Sequence, residues 1–313
     1  MKIVIAGGTG QLGIILKRHW ETTGNNVWIL SRSKHCPEEK IIEWDGKTLG
    51  GWIEVVNGAD VVVNLAGKSV NCRYSEQNLN EMMASRVDST NAIGEAIQSV
   101  KNPPQTWLQM STATIYSHRY NEANDELSGE IGGSEPNAPD YWKRSIEIAQ
   151  AWEATLKKFD TPNTRKVALR SAMVMSPDVR GVFNVLSKMT RMGLGGPIAG
   201  GRQYISWIHE FDFVRALDFL IDNTDLTGPV NLTSPNPIPQ RQFMKELRTA
   251  WNIPFGLPAT KLMAEIGAFI LRTDTELLLK SRRVIPTRLE RAGFRFKYPH
   301  WGLAAKELVF RKI

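Results

Sequence analysis

Cysteine is scarce in this chain: 313 residues hold only Cys36 and Cys72, neither in C-x-x-C spacing nor in a Cys/His cluster. A disulfide scaffold and a structural zinc site therefore lose support, no metal is expected, and reduced cytosolic thiols are the default. Long hydrophobic runs are missing too. The longest late apolar stretch, Leu262 to Leu271, is interrupted by Glu265 and far too short to span a bilayer. The first residues read as a core strand rather than as the apolar region of a signal peptide, so a soluble cytoplasmic protein with no membrane partner is expected. No internal repeat or extended low-complexity tract is present.

The most informative segment is at the start. A short apolar run, Lys2 to Ala6, leads directly into Gly7-Gly8-Thr9-Gly10-Gln11-Leu12-Gly13. An extended strand would bring the chain to a tight turn there. Gly7 and Gly10 remove side chains that would keep a pyrophosphate off the backbone, and Gly13 lets the next helix pack close to the strand. The free amides and positive dipole end of that helix would face the anion. Leu12, Ile15, Leu16 and Trp20 follow at helical spacing, Gly24-Asn25-Asn26 closes the helix, and Val27-Trp28-Ile29-Leu30 reads as the second strand. The whole reads as a nucleotide-binding βαβ unit, with an ordinary α/β turn as the alternative.

At the tip of that second strand an acid would accept hydrogen bonds from an adenosine ribose 2′-hydroxyl. None is there; the chain reads Ser31-Arg32-Ser33-Lys34, two hydroxyls and two cations suited to a 2′-phosphate. NADP (NADPH) is favoured over NAD, with a solvated basic turn as the alternative.

Net charge is +7 and the hydrophobic fraction 42%, enough for one large or two modest domains. Much of the positive excess falls between Ser281 and Trp301, where Arg282, Arg283, Arg288, Arg291, Arg295 and Lys297 alternate with Phe294, Phe296 and Tyr298. Such a pattern could stack bases, or it could be an amphipathic element with its apolar side on the body. Because a dinucleotide site already uses positive potential, nucleic acid is not an expected partner.

Strand and helix patterns alternate: a strand at Ala59 to Leu65, a helix over about 75–100, a strand at Thr106 to Thr112, a helix over about 140–158, and a strand at Lys166 to Met175. The fold class is α/β, a Rossmann-type doubly wound parallel sheet with a smaller, mostly helical C-terminal substrate lobe. The cofactor domain is expected over 1–177, with parts of 203–234 returning to it, and the lobe over 178–313. Helices are expected over about 211–222 and 240–251. The Gly- and Pro-rich stretch Tyr116 to Pro139 has the composition of a surface loop over the strand ends, the geometry of a lid.

Several further segments carry a resemblance. Asn64-Leu65-Ala66-Gly67, Ser111-Thr112-Ala113-Thr114-Ile115-Tyr116, Gly201 through His209, Gly228-Pro229-Val230-Asn231-Leu232 and Arg283 through Phe294 occur in order. With the glycine turn, they make the chain similar to the extended short-chain dehydrogenases/reductases. The match is to an atypical epimerase/dehydratase branch with an appended C-terminal domain of unassigned function. The resemblance implies NADP(H) on a Rossmann core with a substrate cleft beside it. Expected cofactor contacts are Gly7, Thr9, Gly10, Gln11, Leu12, Gly13, Ser31, Arg32, Ser33, Asn64, Leu65, Ala66, Gly67, Ser111 and Arg170.

It also implies a Ser or Thr at the end of the fifth strand, a role that Thr112 fits, and a tyrosine made acidic by a lysine four residues later. The helix begins Tyr141-Trp142-Lys143-Arg144-Ser145, so Ser145 stands where that lysine belongs, and Lys143 projects from another side. Tyr141 is either the acid/base with a different activator or a buried aromatic. Arg73, Arg202 and His209 are candidate substrate contacts; each arginine could equally be a surface ion pair, and His209 a satisfied hydrogen-bonding residue. The expected activity is hydride transfer on a small polar or anionic substrate, such as a nucleotide sugar. The rival is an NADP(H)-binding sensor or partner-binding module without turnover. The assembly is left open between monomer and dimer.

Overall fold

The computed structural model describes residues 1–32, 40–136, 139–179, 181–270 and 274–312. The chain begins with β1 (Lys2–Ala6), α1 (Gln11–Thr22), β2 (Asn26–Ser31), β3 (Ile41–Glu43), α2 (Ile53–Val56), β4 (Val61–Asn64), α3 (Glu76–Ser99) and β5 (Thr106–Thr112). A 3-10 turn at Ala113–Ile115 leads to α4 (Asp140–Lys158), β6 (Arg165–Ser171), β7 (Met173–Met175) and α5 (Val182–Arg191). Next come β8 (Tyr204–Ile205), β9 (Trp207–His209), α6 (Glu210–Asp222) and β10 (Gly228–Leu232). Then follow β11 (Ile238–Pro239), α7 (Gln240–Ala250), α8 (Lys261–Ile270), α9 (Glu276–Leu279), α10 (Thr287–Arg291) and α11 (Trp301–Lys312).

Seven strands form one parallel sheet in the order β10-β6-β5-β4-β1-β2-β3. Strands β1 and β4 are central and covered on both faces, which is why Ile3-Val4-Ile5 and Val61-Val62-Val63 are uninterrupted apolar runs instead of alternating ones. Crossing from β1 to β4 reverses the winding, and the crevice at that reversal opens at the carboxyl ends of the strands. One face packs α1 and α6 through Leu16, Trp20, Phe213 and Leu217; the other packs α3 and α4 through Ile93, Ala96 and Leu156. Helix α4 carries Asp140 in its first turn and Lys157 and Lys158 in its last, charges that complement its dipole.

Three expectations change. The strand expected at Lys166 to Met175 is two strands, because after Ala172 the chain leaves the main sheet and β7 pairs with β9. The chain after residue 177 divides between two cores. Phe183, Phe243, Leu247, Trp301 and Leu308 build one of their own, while Leu289 and Phe294 join the core of the main sheet. The described part of the surface loop over 116–139 is fastened at Asn124. The amide of Asn124 donates to the Arg283 carbonyl at 2.7 Å, Ile285 donates back to the Asn124 carbonyl at 3.0 Å, and the fully buried Asn124 side chain donates to the Ser117 carbonyl at 3.1 Å. Those bonds tie the described part of the loop to the C-terminal segment. The amphipathic reading of the late basic run is the one its packing supports, since Phe294 and Trp301 are buried while Arg288 reaches the carbonyls of Thr227 and Pro229.

Candidate functional site

The glycine turn lies at the carboxyl end of β1. Gly7 adopts φ +75°, and a Cβ there would meet the backbone of Ala66 at 2.9 Å, so the turns after β1 and β4 touch only because residue 7 has no side chain. A Cβ on Gly13 would come within 2.4 Å of the Gly8 backbone, which seats α1 against the turn. Gly10 differs: a Cβ on it would meet only the Gly7 carbonyl oxygen, at 3.4 Å, so its outer side is open. It is also the N-cap of α1, and among the described residues no side chain caps that helix. The first-turn amides from Gln11 to Gly13 have no intrahelical acceptors and no acid in the first turn competes for them, which makes an anion receptor of this end.

Around this turn, Thr9 Oγ1 lies 3.2 Å from Ser31 Oγ, and Arg32 is exposed beyond the end of β2. Ser33, with Lys34 and Cys36, falls outside the described residues. Pairing of β2 with β3 sets Glu43 beside Ser31, an acid at the strand tip that a linear reading of residues 31–34 does not reveal. Leu12 and Leu65 pack on the main core and Ala66 on the opposite one. The Gln11 amide nitrogen is buried, has no hydrogen-bond partner among the described residues, and borders Gly181. Asn64 is fully buried and turns inward, accepting from the Ala66 amide at 3.0 Å and donating to Gln109 Oε1 at 3.1 Å; it shapes the β4 turn rather than reaching out of it.

Behind Gly67 lies Arg86, a residue of α3 that no sequence motif marks. It donates to the carbonyls of Lys68 at 3.1 Å and Met82 at 3.0 Å and sits 4.9 Å over the Trp152 ring. Burial pulls its pKa down to about 10.

Two expected cofactor contacts are spent internally. Arg170 donates through Nε and Nη2 to the two carboxylate oxygens of Glu153, each at 2.8 Å, and through Nη1 to the Tyr116 hydroxyl at 2.9 Å. Ser111 donates to Glu153 Oε1 at 2.7 Å. The reason is strand alternation: Ser111 and Arg170 are register partners on β5 and β6 and turn together toward α4.

Thr112 lies at the end of β5 and accepts from the Thr114 amide at 3.1 Å, capping the 3-10 turn. Tyr141, on the first turn of α4, has its hydroxyl 2.9 Å from Thr275 Oγ1 and its ring edge-on to Tyr74 at 6.3 Å. Burial raises its pKa, opposed by the Thr275 hydrogen bond and reinforced by Asp274. Ser145 donates to Glu276 Oε2 at 2.6 Å. Glu276 is fully buried, and its Oε1 has Lys280 Nζ at 3.6 Å and Arg282 Nη2 at 4.0 Å. Burial pushes the Glu276 carboxyl up and pulls the Lys280 ammonium down to about 8. Glu276 and Lys280 lie just before the Arg283 to Phe294 segment and match no catalytic pattern of their own, and nothing in the basic run from Ser281 says that Arg282 faces the turn after β5.

Arg73 is exposed and precedes Tyr74, whose amide donates to the Asp274 carboxylate; Arg202 is exposed at the entrance to β8. His209 is a correction. Its ring is 1% exposed, with Nε2 2.8 Å from Glu307 and Nδ1 accepting from the Phe211 amide at 3.0 Å, so it caps α6 and holds α11 rather than meeting a ligand. Among the described residues no group of three or more His, Cys, Asp or Glu is placed to hold a metal, and no helix is long and apolar enough to cross a membrane.

The description of the NAD dependent epimerase/dehydratase family matches residues 3–232. The chain belongs to that family. A second description, a domain of unknown function (DUF1731), matches residues 261–308, which span Glu276, Lys280 and Arg282. The chain is similar to the epimerase family protein YfhF of Bacillus subtilis, 29% identical with 99% of this chain and 98% of that one covered. It is 30% identical to an epimerase family protein of Staphylococcus epidermidis, covering 98% and 99% of the two chains. Among solved structures, human epimerase family protein SDR39U1 with NADPH superposes at a TM-score of 0.85, with 26% identity and 99% of each chain covered. The Rossmann sheet and the extended short-chain architecture with its C-terminal domain are thus shared along the whole chain.

Proposed function

We propose that this family member is an NADP(H)-dependent oxidoreductase or epimerase that transfers hydride to or from a small polar or anionic substrate, with a nucleotide sugar as one such class. The observation that carries the reading is the uncapped start of α1 beside the open side of Gly10, a cradle that a side chain at position 10 would fill. The residues present fit a dinucleotide. Backbone at Gly7, Gly10 and the first turn of α1 would hold the pyrophosphate, with Ser31 and Arg32 at the adenosine end. The NADPH in the SDR39U1 structure supports the same assignment.

A bound nicotinamide supplies the hydride donor or acceptor. The chain's part is orientation and proton handling. Because Thr112 Oγ1 already accepts from the Thr114 amide, its own hydrogen remains for a substrate oxygen. Tyr141, with its phenol pKa raised, stays protonated through the neutral range and acts as a proton donor in the reducing direction. Arg73 and Arg202 are the cations proposed to draw in an anionic substrate.

The test is a titration with NADPH followed by a screen of carbonyl, alcohol and sugar-nucleotide compounds for change in nicotinamide absorbance. Turnover of any of these classes supports the reading. No dinucleotide binding defeats it, and binding without turnover favours the sensor alternative, whose supporting observation is that Ser145 meets a carboxylate where a lysine would activate Tyr141.

A further inference from the structure

The segment from Thr275 to Arg282 lies within the domain that has no assigned function, yet it meets the Tyr141 hydroxyl directly and holds Thr114, the neighbour that bonds the Thr112 hydroxyl. Lys280 Nζ donates to the Thr114 carbonyl at 3.0 Å and Arg282 Nε donates to Thr114 Oγ1 at 3.1 Å, while the Thr114 amide donates to Thr112 Oγ1 at 3.1 Å. Thr114 is therefore held through its carbonyl, its hydroxyl and its amide, and the first two bonds come from residues more than 160 positions away. The same segment contacts α4 twice, through Thr275 on the Tyr141 hydroxyl and Glu276 on Ser145.

The segment is itself held from both sides. The Arg282 amide donates to the Tyr204 carbonyl at 2.9 Å, Gln203 Nε2 donates to the Leu278 carbonyl at 2.9 Å, and the Ser281 amide donates to His118 Nδ1 at 2.7 Å. It is anchored to the two-stranded β8–β11 ribbon and to the loop after β5, so it has little freedom of its own. Lys280 is 2% exposed and Glu276 fully buried. Burying an ion pair so completely carries a desolvation cost that is repaid only by good geometry and further hydrogen bonds. Here the lysine closes onto a carbonyl of the turn that presents Thr112.

We infer that the C-terminal domain completes the active site, with Lys280 and Arg282 as positioning residues that fix the Thr112 hydroxyl through Thr114, and Thr275 fixing the Tyr141 hydroxyl. The sheet domain alone carries both hydroxyls but not the groups that aim them. This inference rests on the oxidoreductase reading for its consequence and on the Thr114 contacts for its geometry.

The experiment uses the full chain with NADPH and 9,10-phenanthrenequinone as carbonyl probe. It compares Lys280→Met and Arg282→Met with Lys280→Arg and Thr112→Val. The two methionine variants should bind NADPH within about threefold of the parent and unfold cooperatively. Their kcat should fall roughly tenfold or more with KM little changed, and Lys280→Arg should recover most of the loss, since a misplaced reacting group costs turnover before it costs binding. Should Lys280→Met not fold, Arg282→Met makes the same comparison. An unchanged kcat in the methionine variants beside a lowered kcat in Thr112→Val overturns the inference and leaves the proposed function standing. If the parent binds NADPH but reduces no carbonyl, the proposed carbonyl reduction falls and amide exchange decides the inference alone. Exchange at Thr114 at least about tenfold faster in Lys280→Met or Arg282→Met, with Ile5 unchanged, supports it; equal exchange at Thr114 overturns it.

Discussion

Ser145, one helical turn after Tyr141, donates its hydroxyl hydrogen to a carboxylate oxygen of Glu276 at 2.6 Å, across a sequence separation of 131 residues. The neighbour of the tyrosine on that face of α4 is thus bonded to an acid, and the acid is fully buried. Burial is what chiefly disfavours the Tyr141 phenolate; Asp274 and, last, Glu276 add to it against the Thr275 hydrogen bond. The phenol is thereby kept protonated and is a weaker acid than a free tyrosine, so it can give its proton only to an oxygen made strongly basic by the arriving hydride.

Tyr141→Phe should therefore lower turnover in the reducing direction by about 10²–10⁴ if the phenol is the proton donor. Thr112→Val should also lower kcat while NADPH affinity stays the same, because that hydroxyl is assigned to the substrate and not to the dinucleotide. Tyr116 is not a substitute: its hydroxyl lies between Asn231 Oδ1 at 3.0 Å and Arg170 Nη1 at 2.9 Å. Steady-state kinetics of the two variants check this, and a change under about threefold in Tyr141→Phe moves the donor elsewhere.

Two glycines of the turn should respond in opposite ways. Gly10→Val fills the open side of the cradle, so NADPH binding should be lost while the thermal transition is kept. Gly13→Ala puts a methyl group 2.4 Å from the Gly8 backbone, which cannot move aside as a side chain can, so the transition itself should shift downward. Isothermal titration and a melting curve on each variant separate the outcomes. Normal NADPH binding by Gly10→Val would show that the dinucleotide does not cross this turn.

What could be read from the sequence was what is local. The βαβ turn declares itself because its chemistry sits in seven consecutive residues, and α3 and α4 because their apolar faces repeat at helical spacing with Ser75 and Asp140 at their starts. Long-range pairing was hidden. Glu43 reaches the tip of β2 only through strand register, and β6 and β7 read as one strand because the break at Ala172 carries no glycine or proline. The stretch after Tyr116 has the composition of a lid, but composition is silent about Arg283 and Ile285 fastening Asn124. Arg170 and Ser111 read as cofactor contacts because the side on which a strand residue points depends on register, and theirs turns them to Glu153.

The adenosine end of the site holds two opposed charges, Arg32 after β2 and Glu43 beside Ser31. If the cation governs, NADPH should bind more tightly than NADH, since a charge-assisted phosphate contact contributes about 1.5–3 kcal/mol, roughly ten- to a hundredfold. Arg32→Asp should abolish or reverse that preference, and Glu43→Gln should increase it by removing repulsion of the 2′-phosphate. Equal dissociation constants for the two cofactors in the parent protein would refute the assignment.

The buried lysine makes a prediction about stability at alkaline pH. Burial lowers the Lys280 pKa from 10.5 to about 8 in the folded chain; Glu276 on its own helix opposes that shift, Arg282 adds to it, and Glu135 from the loop after β5 opposes it. His118, which faces the same ammonium, is held largely neutral by burial and by that charge. Between about 8 and 10.5 the unfolded chain keeps a proton that the folded chain has released, so stability rises with pH across that window. Below it the cost of the buried charge is present in full and does not vary. Lys280→Met removes the titrating group together with one hydrogen bond, so its melting temperature should differ from the parent's by a constant amount below pH 8. Above that, the parent should gain on the variant steadily toward pH 10. Parallel melting curves of the two proteins across pH 7 to 10 would mean that Lys280 does not titrate in the folded state as its burial requires.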